Sequence, residues 1–304
     1  MQITGIRHKD HMRGDGIDRA TLARWRRSGA VKSVQPWYVT QDAPAELVAL
    51  LALGLRPTCL DAAALHGLWV PMHTGVHVFH PRPSTRVQQL RGRRLLPLRH
   101  GSPAAPEVRR TQPLVLHGPQ LRAWPDKDPV PSLDLVLEHA GRCLPTVKAA
   151  ILLESALNRR KISRPRVEQI VSSLPFHAAR ALSRVRSDAE SGTETAMRWW
   201  FESRGVPVKA QVLFPDGVRR MDLLVGRSWV IECDSREHHT GADSYEQDRA
   251  RDLYLSQHGY EVTRLSWRQV FLAWPTTEAS LLAILSRGQH LRPPRPGRGL
   301  VLSA

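Results

Sequence analysis

Apolar positions recur at helical spacing in some stretches of the chain and run together or alternate in others. Residues 17–29 read as a short helix, with Leu22 and Trp25 on one face and Gly29 as its stop. Val31, Val34 and the run 37–40 predict a small β-hairpin. A helix carrying Arg24, Arg26 and Arg27 and followed by a hairpin is what a winged helix offers DNA, its arginines reaching phosphate. The same pattern also suits a helix and a strand that pack on the next domain. From Pro44 the chain turns Ala/Leu-rich and helical over 44–54 and 60–67, then β-like at 75–79. One strand (113–117) is predicted among the turn-rich stretches of 101–131, and helices at 133–140, 146–158, 166–174 and 176–186.

The last part reads as one α/β unit. Ser191-Gly-Thr-Glu194 opens a helix with Ala196, Met197, Trp200 and Phe201 on its apolar side, and Gly205 ends it. Three strands are predicted at 207–214, 218–225 and 229–235. A helix opened by Ser244 and Gln247 and closed at Gly259, a strand over 260–266 and a helix over 276–287 follow. The core order is α-β-β-β-α-β, without an internal repeat.

The chemistry sits on the hairpin 221–234. With 226–228 as a three-residue loop, Val225 pairs with Trp229 and the register sets Asp222 opposite Glu232. Alternation then gathers Arg220, Asp222, Glu232 and Asp234 on one face and sends Met221, Leu223, Val225, Trp229, Ile231 and Cys233 to the core. Carboxylates about 5 Å apart across a strand pair repel. Such a face is solvated, paired with nearby arginines, or held ionised by a divalent cation. A cation there would polarise a phosphodiester and lower the pKa of an attacking water. Glu194, fourth in Ser-x-x-Glu, is by spacing a capping-box glutamate. His238 and His239 follow the strand end, where a histidine serves as proton shuttle, phosphate ligand or metal ligand, or is simply exposed. Asp248 and Arg251 are spaced to pair along the second helix.

Charge divides the chain. Lys and Arg exceed Asp and Glu by 44 to 28, and residues 188–304 balance 15 against 15, so residues 1–187 hold the whole +16. The segment 81–94 carries Arg82, Arg86, Arg91, Arg93 and Arg94 with no acid, and Arg99, Arg109 and Arg110 follow. Such a cluster neutralises several phosphates, with binding that weakens steeply in salt; a solvated loop is the alternative. The first part is therefore expected to meet a polyanion, duplex DNA above all, and the neutral second part to carry the carboxylates. No stretch near 20 residues is mostly apolar, so no membrane partner is expected. The polar, charged first 30 residues carry no secretory signal. Cys59, Cys143 and Cys233 are far apart and form no CxxC pair. This spacing argues against a disulfide framework and against a structural zinc site, and suits a reducing cytoplasm.

Several ordered motifs carry a resemblance. Arg220-Met-Asp222, Val230-Ile-Glu232-Cys-Asp234, His238-His239, Asp248-Arg249-x-Arg251-Asp252 and Gly259-Tyr-x-Val262-x-Arg264-x-x-Trp267 are similar to a bacterial domain family of unknown function. That family is allied to the very-short-patch-repair endonucleases of the PD-(D/E)xK superfamily. The resemblance spans residues 188–272 and implies a metal-dependent nuclease fold. It implies Glu194 as the first-helix acid, Asp222 and Glu232 as ligands of Mg²⁺ or Mn²⁺, Asp234 as a further acid at the metal, and His239 as general base or phosphate ligand. Two positions depart from the superfamily pattern. Asp234 stands where a lysine is expected, as is usual in this branch, and Ser235 where a glycine usually follows. Lys209 or Arg236 could supply a positive charge.

The first 180 residues resemble proteins with an AbiEi-like antitoxin domain, through the winged helix and the segment Ala62-Ala-Ala-Leu-His-Gly-Leu68. That winged helix is normally preceded by more helix than residues 1–17 supply. The expected architecture is a multi-domain α+β or α/β chain: a winged-helix-like segment (1–42), a basic mixed α/β middle (43–187), a restriction-endonuclease-like αβββαβ core (188–290) and a disordered basic tail (291–304). The expected function is a cytoplasmic, nucleoid-associated DNA endonuclease of phage defence or DNA processing, with a homodimer among its assemblies. A DNA-binding regulator or antitoxin with an inactive nuclease-like domain is the alternative, and an RNA-cleaving toxin is a third reading.

Overall fold

The computed structural model describes residues 1–72, 75–79, 90, 92–98, 110–117, 127–214, 216–234 and 242–295. The chain is mixed α/β and forms two units: Met1–Leu152 with Ile162–Arg184, and Leu153–Lys161 with Val185–Ala304. Among the described residues no helix is long and apolar enough to cross a membrane.

Unit 1 opens with β1 (Ile6–His8), α1 (Lys9–Gly14), α2 (Arg19–Arg27), β2 (Lys32–Val34) and β3 (Trp37–Val39). The Asp18 carboxylate starts α2 by accepting the Thr21 N–H at 2.7 Å. Trp37 and Val39 alternate inward, and the three strands form a sheet in the order β1-β3-β2. The sequence reading had no structure before residue 17. There β1 supplies a third strand, its Ile6 and His8 paired with Val39 and Trp37, and α1 adds a short helix. Both were hidden because elements this short show no measurable periodicity.

Then come α3 (Ala45–Ala52), β4 (Arg56–Pro57), α4 (Cys59–Leu65), β5 (Val76–Phe79), β6 (Arg94–Leu95) and β7 (Gln112–His117). The strands make a sheet in the order β4-β5-β7-β6, with β5 and β7 parallel. Helices α5 (Leu133–Cys143), α6 (Thr146–Asn158), α7 (Arg164–Ser172) and α8 (Phe176–Leu182) follow, close to the predicted bounds. The buried Asp61 carboxylate ties the sheet to α4, accepting the N–H groups of His77 at 2.6 Å and Leu98 at 2.9 Å.

Unit 2 contains α9 (Gly192–Glu202), β8 (Val208–Leu213), β9 (Arg220–Val225), β10 (Trp229–Asp234), α10 (Ala242–Gln257) and β11 (Glu261–Ser266), the order read from the sequence. Helices α11 (Trp267–Phe271) and α12 (Trp274–Ser286) close it, α11 behind a capping box of Ser266 and Gln269. The sheet order is β11-β10-β9-β8, with β10 and β11 parallel and the other pairs antiparallel. One core gathers Met197, Phe201, Leu223, Val225, Trp229 and Ile231; a second joins Phe214, Met221, Val230 and Leu255. Met221 thus leaves the set assigned to it by strand alternation. The ladder between β8 and β9 lapses at Gln211, whose φ of 53° is left-handed, and beyond that lapse Met221 packs into the second core.

The last turn and a half of α6 belongs to unit 2. Glu154, 1% exposed, accepts hydrogen bonds from Trp199 Nε1 at 3.1 Å, Thr195 Oγ1 at 2.9 Å and the Arg186 N–H at 3.1 Å, and pairs with the fully buried Arg198. Residues 291–295 of the tail expected to be disordered are among the described residues. His290 O accepts the Arg227 N–H at 2.7 Å and seats against Gly226, where a Cβ would lie 2.4 Å from that oxygen. Residues 296–304 lie outside the described residues.

Candidate functional site

The hairpin register holds where the sequence placed it: Val225 pairs with Trp229, Leu224 with Val230 and Leu223 with Ile231. The expected backbone pairing of Asp222 with Glu232 is replaced. Asp222 Oδ2 accepts the Cys233 N–H at 2.7 Å, so the aspartate side chain takes over a ladder hydrogen bond. On the far side β10 continues with β11, Glu232 opposite Arg264 and Asp234 opposite Ser266. The backbone of Asp234 is described, while its side chain, His238, His239 and Arg236 lie outside the described residues.

Glu194 comes from the first turn of α9. Ser191 Oγ accepts its N–H at 3.1 Å, as a cap should. Its carboxylate does not close the predicted capping box. Glu194 Oε2 instead accepts the Glu190 N–H at 2.9 Å and the Gln211 side-chain amide at 3.0 Å. Gln211, in its left-handed conformation, falls in β8 between the pairs Ala210–Leu223 and Val212–Met221, level with Asp222. Backbone strain of this kind clusters at functional sites.

Electrostatics ties the three acids together. Burial pushes Glu194 up to about 7, and the neighbouring Asp222 charge adds to the rise. Burial, again with Asp222, pushes Glu232 up to about 8, against the pull of Arg251 and Arg264. Glu232 Oε2 is paired with Arg251 at 2.8 Å, while the buried Oε1 makes no hydrogen bond of good geometry among the described residues. The side chain of Asp248, the partner expected for Arg251 along α10, lies outside the described residues. Asp252 binds Arg264 Nε at 3.0 Å and also lies 3.9 Å from Arg249. Arg251 places a positive charge beside Glu232; of the two residues expected to bring one, Lys209 is exposed on β8 and Arg236 lies outside the described residues. Neither Gln211 nor Arg251 was legible as a site residue, because each reaches the acids from another element.

The arginines expected to meet DNA are placed in part. Arg24, Arg26 and Arg27 are exposed in the last turn of α2. Arg93 and Arg94 are exposed, with Arg94 Nη2 donating to Thr111 O at 2.6 Å. Arg82, Arg86, Arg91, Arg99 and Arg109 lie outside the described residues.

The cysteine spacing argues against a structural zinc site, yet a second cluster, which includes two of the cysteines, could hold a metal ion. In unit 1 the donor atoms of Cys59, His77, His117 and Cys143 all lie within 4.8 Å of one another. Among the described residues it is the one group of three or more potential ligands so gathered, and its thiols and imidazoles are not a donor set for Mg²⁺. Hydrogen bonds from Cys59, then His117 and His77, hold the Cys143 thiol down at about 3 despite partial burial; burial pushes the Cys59 thiol up. The ligands converge through the pairing of β5 with β7 and through the ends of two helices, which spacing along the chain does not reveal. The one available signal was a histidine in each of the two strands predicted for this region. No family model matches the chain, and no curated protein matches it.

Proposed function

We propose that the chain is a metal-dependent DNA endonuclease of phage defence or DNA processing, in which the basic first 187 residues bind the duplex and unit 2 cuts it. The observation that carries this reading is the electrostatic coupling of Asp222 to both Glu194 and Glu232, although among the described residues the three acids do not gather their oxygens as the unit 1 cluster gathers its donors. Two of the three are pushed toward neutral pH by burial and by the third, and among the described residues a buried Glu232 oxygen is left without a hydrogen bond of good geometry. Hard oxygens with an unfilled lone pair fit Mg²⁺ or Mn²⁺. Asp222 and Glu232 would hold the ion, with Asp234 as a third ligand. When bound it would polarise the scissile phosphodiester and acidify the attacking water. The α-β-β-β-α-β order and the resemblance to the very-short-patch-repair branch of PD-(D/E)xK nucleases support the same assignment.

The chain's own residues prepare the site. Arg251 neutralises Glu232 until an ion replaces it, and β10 fixes Asp222 through the Cys233 N–H that its carboxylate accepts. Gln211 and the Glu190 N–H orient Glu194 beside Asp222. His239 is the proposed general base or phosphate ligand. The charge division brings a polyanion to the basic part while the acids await the ion.

One observation favours the second reading, a DNA-binding regulator with a silent nuclease-like domain: Arg251 and the Cys233 N–H already occupy an oxygen each of Glu232 and Asp222. Incubation with supercoiled plasmid and Mg²⁺ or Mn²⁺, beside EDTA and Asp222→Ala controls, decides between them. Nicking absent from both controls supports the nuclease. Intact plasmid with salt-sensitive retention on a gel supports the regulator.

A further inference from the structure

The cluster in unit 1 is independent of the carboxylates, and its geometry is specific. His77 Nδ1 lies 3.2 Å from His117 Nε2, and Cys143 Sγ lies 3.5 Å from His117 Nε2 and 3.9 Å from His77 Nδ1. Zinc bonds of about 2.0–2.1 Å to nitrogen and about 2.3 Å to sulfur, at tetrahedral angles, separate donors by about 3.3 Å (N to N) and about 3.6 Å (N to S). These three edges match one face of a coordination tetrahedron, and the Cys59 donor lies within 4.8 Å of each of the three atoms.

The scaffold holds the four donors from different directions. In the parallel pair His77 stands opposite Val115, so His117, two residues on, shares its face of the sheet. Gly75, at φ 90°, permits this approach: a Cβ there would meet Val115 Cγ2 at 2.5 Å. The turn that carries Cys59 grips His77 on both sides. Thr58 N–H donates to His77 O at 3.0 Å, and the Asp61 carboxylate accepts the His77 N–H at 2.6 Å. Cys59 itself has a φ of 51°, a conformation that is unfavourable for an L residue and persists where surroundings impose it. Cys143 closes the set from the last residue of α5.

We propose that unit 1 carries a structural zinc ion bound by Cys59 Sγ, His77 Nδ1, His117 Nε2 and Cys143 Sγ. A tetrahedral set of two thiolates and two imidazoles selects zinc over oxygen-seeking ions. Each thiol that is still protonated releases its proton to solvent on binding, so affinity falls with falling pH. The ion joins α4, α5, β5 and β7, and its role is to hold that sheet and those helix ends together.

The test is metal content. Protein purified under reducing, chelator-free conditions and measured by inductively coupled plasma mass spectrometry should hold one zinc per chain. Asp222→Ala should keep it, which separates this ion from any at the carboxylates, and Cys143→Ser should lose it. Zinc retained by Cys143→Ser, or a wild-type protein that takes up none on reconstitution, overturns the proposal. So does a Cys59–Cys143 disulfide in a non-reducing peptide map of protein kept reduced. Should Cys143→Ser fail to fold, Co²⁺ reconstitution of the wild-type chain decides. The visible absorption of a four-coordinate thiolate site supports the proposal, and its absence refutes it.

Discussion

Replacing Glu154 with leucine removes one carboxylate and strands four donors: the Arg198 guanidinium, the Trp199 indole, the Thr195 hydroxyl and the Arg186 N–H. Breaking a buried ion pair by removing one partner costs about 3–5 kcal/mol. Glu202 still holds Arg198 Nη1 at 2.8 Å, which limits the loss on the charged side. The stranded neutral donors add to the loss and leucine burial offsets part of it, leaving a net cost of about 3–4 kcal/mol. At roughly 2–4 °C per kcal/mol for a unit of this size, the calorimetric transition of unit 2 should fall by roughly 6–16 °C. The double variant Glu154→Leu, Arg198→Met exchanges the pair for apolar volume and should recover much of the loss, because the pair as a whole contributes little net stability. A single variant that melts within about 2 °C of the parent, or a double variant worse than the single, would refute the reasoning.

Further outcomes follow from the two sites. Glu194 and Glu232 have folded-state pKa values raised above those of the unfolded chain, so the folded state binds more protons and its stability is lost as pH rises through about 7 and about 8. Thermal scans of metal-free protein from mildly acidic to mildly alkaline pH should show unit 2 melting progressively lower, and Glu232→Gln should flatten that slope. Asp222→Ala and Glu232→Ala should each cut plasmid nicking by more than about 100-fold while filter-bound DNA is retained as before; parental cutting rates would remove them from the site. Gln211→Gly relieves the left-handed backbone yet releases Glu194, so melting should change little while nicking falls; equal nicking would make Gln211 merely structural. Replacing Arg91, Arg93 and Arg94 together with alanine should weaken binding alike on unrelated duplexes and reduce the salt slope by about one per lost phosphate contact, whereas an unchanged slope would return the segment to solvent.

Long periodic elements of unit 2 were legible because each rests on local information: Gly226 and the flanking apolar runs are enough to set the Val225–Trp229 register. Asp222 and Glu232 were legible by residue type and alternation, whereas Glu194 read by spacing as a cap and joined them only through the resemblance. What they bind was not, since Gln211 reaches Glu194 across 17 residues and Arg251 reaches Glu232 from a helix whose own pairing looked sufficient. The Cys59, His77, His117 and Cys143 cluster was least legible. Its donors come from a turn, two strands and a helix end, and only parallel pairing aligns the histidines.

The division of α6 between the two units bears on how this protein can be dissected. A fragment starting at residue 188 would lack Glu154 and keep Arg198. Such a fragment would keep the fully buried Arg198 with Glu202 as its remaining carboxylate partner among those described, and its failure to express would say nothing about the carboxylate site. The units are not modules that recombination can exchange at a single cut. A graft of unit 2 onto another carrier must bring residues 153–161 along as a second, separate piece of chain.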